Sequence, residues 1–234
     1  MLILAFETSA KSCSAAIHDG KSLLAESYQN SGLTHSQTLM VMAEDMMKAA
    51  GKTMADVSAV AVAEGPGSFT GVRIGVAAAK GLAWGAELPC YGVSTLEAMA
   101  LPLGAYQGYV CPVMDARRSQ VYNALFYVNS GTLDRISEDR AIALADLKTE
   151  LEHLDGPVFL VGDGSDLTFS TLKDAIPSLV LPPEHRMHQR ASGVALAAAK
   201  KIAAGDSGDA ASMTPNYLRL SQAERERMEK QKNK

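Results

Sequence analysis

Three places in this chain hold residues whose types and spacing invite chemistry. The first is Gly65-Pro66-Gly67-Ser68, between an apolar run ending at Ala63-Glu64 and a helix expected from about Thr70. A strand, a glycine turn and a helix in this order can aim backbone N–H groups at an anion. No Gly-Lys-Ser/Thr follows, so the turn is not a P-loop, and the GxGxxG dinucleotide pattern is not completed. Ser68 invites comparison with a nucleophile elbow, but Gly67-Ser68-Phe69 does not supply GxSxG. A serine capping a helix N-terminus accounts for it. The second place is the histidine set His18, His35, His153, His185 and His188. His185 and His188 lie in a loop after Pro182-Pro183, without acidic partners in register and without an HExxH pattern. They read as exposed loop histidines, and no metal site is expected. The third is Cys13, Cys90 and Cys111, odd in number, without CxxC spacing, each in an apolar strand-like context. Buried free thiols in a reducing cytoplasm are expected. No residue is assigned a catalytic role.

The elements that must position these groups follow from periodicity and punctuation. Leu2–Phe6 reads as a strand, Ser12–His18 as a second and Ser22–Tyr28 as a third, with a hairpin turn at Asp19-Gly20. A helix spans 34–50, with Thr34 and Gln37 at capping-box spacing and Gly51 at its end. Val57–Ala63 is the central strand, and the helix after the glycine turn spans 70–85. In that helix Gly71, Gly75 and Ala79 form a smooth ridge. Each glycine costs about 1 kcal/mol relative to alanine, so the ridge is expected to pack its backbone tightly against another element. Cys90–Val93 is a strand, and Ser94 with Glu97 caps a helix running to Leu101. Pro102–Gly108 reads as a linker.

The second half starts again with a strand at Tyr109–Met114. A turn follows at 115–119, then a strand over Gln120–Val128 and another over Arg135–Leu144. A helix over Ala145–Leu154, a strand at Val158–Val161, a helix near Thr168–Asp174, a strand near Leu179 and a helix over Ala191–Ala204 complete it. Each half thus runs from a strand meander to alternating helices and strands. Residues 221–234, nearly all polar and charged, are expected to be disordered.

The 234 residues and their 47% hydrophobic content suffice for one large or two small domains. A net charge of −4 implies no general affinity for nucleic acid, so an RNA role would come through a partner. No run approaches the roughly 18 apolar residues of a membrane span, and the N-terminus has no basic stretch of a signal peptide. A cytoplasmic location is expected.

Four segments together resemble one family: GPGSFTGVRIG at 65–75, the opening LILAFETSAKSCSAAI, DARRSQVY at 115–122 and TPNYLR at 214–219. They are similar to the TsaB (YeaZ) proteins of bacteria, and the resemblance spans nearly the whole chain. It implies an α/β fold of the actin-like ATPase class shared with sugar kinases and chaperone ATPases, with two similar lobes, each a mixed sheet flanked by helices. The lobes are expected at 1–105 and 106–190, with 191–220 packing back on the first lobe or on the hinge. The resemblance also implies a role in forming N6-threonylcarbamoyladenosine at position 37 of tRNAs that read codons starting with A. In that family the protein is a non-catalytic subunit that works with the catalytic paralogue TsaD and the ATPase TsaE, while TsaC makes the donor. TsaD carries two metal-binding histidines four apart on a helix. Here Thr95 and Met99 stand at those positions, and neither suits a divalent metal.

The fold class holds ATP between two glycine-rich turns. Here the first turn, Glu7-Thr8-Ser9-Ala10-Lys11-Ser12, has an acid and hydroxyls but no glycine, and the second, 115–119, has none either. Their β-carbons would obstruct close approach to phosphate; Arg117 and Arg118 could fill the cleft or pair with its acids. Glu7, Thr8 and Ser9, with Gly162 and Gly164 as a possible adenosine pocket or a plain turn, are the only cofactor candidates. Weak or absent nucleotide binding is expected. The alternatives are a stand-alone ATP-dependent small-molecule kinase or a metalloprotease-like enzyme of the same fold.

The expected partner interface joins the helix 34–50 to the helix 70–85. It comprises Leu39, Met40, Met42, Met46 and Met47 from the first and Gly71, Val72, Gly75, Val76, Ala79 and Ala83 from the second. Methionines fill cores or make adaptable contact surfaces. The stripe Leu39, Met42, Ala43, Met46 and Ala50 is read as core, with Met40 and Met47 as its exposed shoulder. The ridge is expected to let the two helices approach closely. The same face would mediate a homodimer when TsaD and TsaE are absent.

Overall fold

A computed structural model describes residues 1–219; the tail expected at 221–234 lies outside the described residues. The first half contains β1 (Ile3–Glu7), β2 (Cys13–His18), β3 (Leu23–Gln29), α1 (His35–Ala49), β4 (Ala59–Gly65), α2 (Phe69–Gly85), β5 (Cys90–Ser94) and α3 (Thr95–Ala100). The second contains β6 (Gly108–Asp115), β7 (Gln120–Asn123), β8 (Phe126–Asn129), β9 (Thr132–Arg135), β10 (Arg140–Ala143), α4 (Leu144–Leu151), β11 (Val158–Val161), α5 (Ser165–Leu172), β12 (Leu179–Val180) and α6 (Ala191–Ala203).

Two mixed sheets result. The first has the order β3-β2-β1-β4-β5, with β1 antiparallel to β2 and parallel to β4. The second follows β10-β7-β6-β11-β12, with β8 and β9 continuing from β6. Alternation along β1 sorts its side chains to two cores. Leu4 and Phe6 pack under α1 and α2, whereas Ile3 and Ala5 pack against α6. Helix α6 therefore covers the far face of the first sheet, touching β1 and β2 most. It also lies close to α3, because a β-carbon on Gly193 would overlap the Ala98 carbonyl. Helix α3 also supplies Leu96 and Met99 to the core of the second sheet, beside Val110, Met114 and Phe126. It is thus the wedge between the two sheets.

Several sequence expectations change here. The strand expected over Gln120–Val128 is two strands. Pro112 in β6 has no N–H for a ladder bond, so β7 pairs with residues 113–115 and β8 with 108–110. Asn123, at the break, donates through Nδ2 to the carbonyls of Pro112 (3.2 Å) and Ala124 (2.8 Å). The strand expected over Arg135–Leu144 is likewise divided into β9 and β10, where Arg135 turns back onto Asp139 at 2.6 Å. The linker expected at 102–108 begins as a short 3-10 turn at Leu101–Leu103. Thr34 stands at the N-cap of α1 without a side-chain cap bond; its carbonyl accepts from Gln37 N at 3.0 Å. By contrast, Ser68 accepts from Gly71 N at 3.3 Å and Ser94 from Glu97 N at 3.2 Å.

Candidate functional site

The carboxyl end of β1 meets the glycine turn at the mouth of the cleft between the sheets. Thr8 Oγ1 donates to Gly71 O at 2.7 Å, and Ser68 N donates to Ser9 O at 2.7 Å. A β-carbon on Gly67 would lie 2.5 Å from Ser9 O. Thr8 and Ser9 of the turn at 7–12 are therefore sealed against the 65–71 segment of the same chain, while Ser9, Ala10 and Lys11 line the cleft. The turn's own donor is used as well, since Ser9 N donates to Glu7 Oε1 at 2.5 Å. Glu7 is fully buried, and Oε2 and the Ser9 hydroxyl have no partner among the described residues. Burial pushes the Glu7 carboxyl up to about 7, because desolvation disfavours the charged form. Across the cleft, burial also raises Asp163, with the charge of Asp115 adding to it; a 3.0 Å bond from Gln189 Nε2 acts the other way.

The second turn is closed too. Arg117, Arg118 and Ser119 all have positive φ (65°, 56° and 55°). Arg117 folds onto Asp115, with its backbone N–H on Oδ1 at 2.7 Å and Nη1 on Oδ2 at 3.1 Å. Gly162 and Gly164 do not line the cleft; Asp163 between them does. A β-carbon on Gly162 would overlap Val113 O, and Gly164 N donates to that carbonyl at 3.1 Å. These glycines let the end of β11 pack on β6. The remaining cavity is about 450 Å³.

A segment within 191–220, expected to pack back on the first lobe or on the hinge, lines this cavity. Asn216 N donates to Glu64 O at 2.6 Å, and the Tyr217 ring stacks on Phe69 at 4.8 Å. Arg73 donates to the Tyr217 hydroxyl at 2.7 Å and lies 3.8 Å above Phe69. Arg219 Nη1 donates to Ala116 O at 2.6 Å. The strap thus joins the glycine turn to the second turn. Its signal in the sequence was the TPNYLR segment after the last helix, which alone does not say what it touches.

The helix face differs from expectation. Leu39, Met46, Met47, Val72, Val76, Ala79 and Ala83 are buried in the chain's own core, as are Gly71 and Gly75. Met42 is half-buried, and Met40 remains 42% exposed. Met47 is therefore core and not shoulder, because the face of α1 that meets the sheet runs through 39, 43, 46 and 47. The glycine ridge seats the start of α2 on Thr8, just beyond β1, and on Val62 of β4. A β-carbon on Gly71 would overlap Thr8 O, and one on Gly75 would overlap Thr8 Oγ1. Nine of the expected interface residues thus contribute to the monomer. The outer surface of the two helices instead shows Met40, Val41 (57% exposed) and Trp84 (75% exposed), the chain's only tryptophan. Trp84 was missed. The available signal was its place in the row 70, 73, 77, 81, 84, spaced three and four apart opposite the ridge.

Thr95 and Met99 are both buried, and the Thr95 hydroxyl has no partner among the described residues. Among those residues no cluster of three or more His, Cys, Asp or Glu could hold a metal ion, and no helix is long and apolar enough to cross a membrane. All three cysteines are buried and free.

Comparisons with known proteins point one way. The family model TsaD, described as tRNA N6-adenosine threonylcarbamoyltransferase, matches residues 29–227. The tRNA threonylcarbamoyladenosine biosynthesis protein TsaB of Bacillus subtilis (strain 168) is 34% identical over 99% of this chain and 100% of its own length. Among solved structures, YeaZ from Pseudomonas aeruginosa superposes with a TM-score of 0.72 at 25% identity, over 93% of this chain and 99% of that one. Component A of (R)-2-hydroxyglutaryl-CoA dehydratase from Acidaminococcus fermentans matches at a TM-score of 0.51 and 13% identity, over 87% and 99%. That likeness concerns the fold alone, which is of the actin-like ATPase class.

Proposed function

Because this chain belongs to the TsaB family of tRNA threonylcarbamoyladenosine biosynthesis proteins, we propose that it is a non-catalytic subunit required for threonylcarbamoylation of tRNA at adenosine 37. In this reading it scaffolds and activates the catalytic paralogue TsaD together with the ATPase TsaE, forms a homodimer without them, and meets tRNA only in the complex. It works in the cytoplasm and needs no cofactor of its own. The observation that carries the reading is the sealed first turn. Ser9 O and Ser9 N are both bonded within the chain, and Gly67 and Gly71 sit directly on Ser9 and Thr8. A phosphate at Thr8 and Ser9 would have to displace the chain's own backbone.

The partner face is the outer surface of α1 and α2, around Met40, Val41 and Trp84. Large exposed apolar side chains are candidates for contact sites, and interface centres are rich in tryptophan. The test uses Met40→Glu and Trp84→Glu. Both side chains are exposed, so circular dichroism should report a folded protein. Light scattering should show a monomer, a pull-down should lose TsaD, and cells depending on the variant should lose the tRNA modification. In the unaltered protein, Trp84 fluorescence should shift to shorter wavelength when TsaD is added. Two folded variants that still dimerise and still bind TsaD would place the interface elsewhere.

A second reading is an enzyme: the match to the TsaD family model favours a chain that transfers the threonylcarbamoyl group itself, and the fold class includes stand-alone kinases. Purified protein alone should neither turn over ATP nor modify tRNA; either activity would favour this reading.

A further inference from the structure

A second groove opens on the molecule and shares no lining residue with the cleft. Its volume is about 700 Å³, within the roughly 300–1,000 Å³ of small-molecule sites. The β2–β3 hairpin, the 101–105 connection, the 185–190 segment and the start of α6 form its walls. Met99, Leu101, Leu196 and Leu23 give it an apolar side.

The groove also carries cations. Glu26 is the one carboxylate among the lining residues, and it is already engaged. It accepts from Arg190 Nη1 at 3.1 Å and from Ser192 N at 3.0 Å, so it cancels Arg190. Lys21 and Arg186 remain. Arg186 gives one N–H to Pro102 O at 2.9 Å, leaving the other guanidinium donors without a hydrogen bond among the described residues. The Lys21 ammonium makes no hydrogen bond or ion pair among them, and the nearby Asp19 carboxylate is held by the turn amides of Lys21 and Ser22 at 2.8 and 2.7 Å. His18, only 4% exposed, lines the same groove. Its Nδ1 accepts from Gly20 N at 3.0 Å, which puts the ring proton on Nε2. That N–H has no acceptor among the described residues, and the ring lines the groove. That N–H is therefore open to a ligand in the groove.

We propose that this groove binds a small phosphomonoester with an apolar or aromatic body. The phosphate sits among His18 Nε2, Lys21 and Arg186, and the body lies on Met99, Leu101 and Leu196. Two cations and one N–H donor lining a single groove match the charge and the several acceptor oxygens of a phosphate better than those of a carboxylate. The apolar side and the protein's net negative charge favour a small molecule over a polymer.

The test is calorimetry on the full-length protein with phenyl phosphate as the probe, beside inorganic phosphate, benzoate and phenol. Phenyl phosphate should bind at one site, at least about tenfold more tightly than each of the other three. Lys21→Ala and Arg186→Ala, both at exposed positions, should each weaken it by about tenfold while the protein stays folded. Imidazole NMR signals of His18 should move on titration. Absence of binding up to about 10 mM, unchanged affinity in both variants, or shifts confined to the cleft around Ser9 and Asp163 would overturn the proposal. Equal binding of benzoate would overturn the phosphate assignment, and equal binding of inorganic phosphate the role of the apolar side.

Discussion

Replacing Glu7 by glutamine should stabilise this protein, and only above a defined pH. The folded carboxyl has its pKa raised from the ordinary 4.5 to about 7, chiefly by burial. The native state therefore holds this proton more tightly than the unfolded chain does. Its contribution is fully present below 4.5 and is lost as pH rises through 7. At 1.36 kcal/mol per pH unit, that gap is worth about 3 kcal/mol. Glutamine keeps an acceptor for Ser9 N, now at 2.5 Å from Glu7 Oε1, and carries no charge at any pH. Urea unfolding followed by circular dichroism, from pH 4 to pH 9, measures the difference. Glu7→Gln and the unaltered protein should match near pH 4 and diverge above it, with the variant about 3 kcal/mol more stable at pH 8. Asp163 titrates in both proteins and drops out of the comparison to the extent that it does not sense Glu7. A difference that stays flat with pH, or a variant less stable at pH 8, would mean that Glu7 is ionised in the native cleft and that the sealed turn has been misread.

The ridge can be tested within one helix: Gly71→Ala should destabilise by about 2 kcal/mol or more, because overpacking against Thr8 O outweighs the helix gain. Gly81→Ala, whose β-carbon meets nothing within 4 Å, should instead stabilise by about 1 kcal/mol in the same urea assay. Burial pushes the thiols of Cys90 and Cys111 up to about 11 and about 12 and raises Cys13. A thiol reagent at pH 8 should therefore modify no cysteine in the native protein and all three in urea; rapid modification of the native protein would contradict the burial.

Local signals carried far in this chain. Ser68 and Ser94 were readable as caps because a cap needs only a hydroxyl three residues ahead of an N–H. The strand before Gly65 and the helix after it were readable because apolar periodicity and glycine punctuation act over a few residues. The buried thiols were readable from the apolar runs that hold them. Pro112 was visible as a residue without an N–H, but its effect depends on which strand lies beside it, and that partner starts eight residues later in β7.

What the sequence by itself determined is the set of elements, their order and the family, since these rest on short-range periodicity and on motifs. What only the tertiary structure decided is which surface each element turns outward. The glycine ridge was visible, but its partner, Thr8, is 63 residues away in the chain. The strap joins Asn216 to Glu64 and Arg219 to Ala116. The open N–H of His18 depends on walls from four separate segments. Met47 and Met40 have the same side chain on one helix. One is core and the other surface because the sheet beneath α1 meets it along a line that periodicity fixes only to within a residue or so.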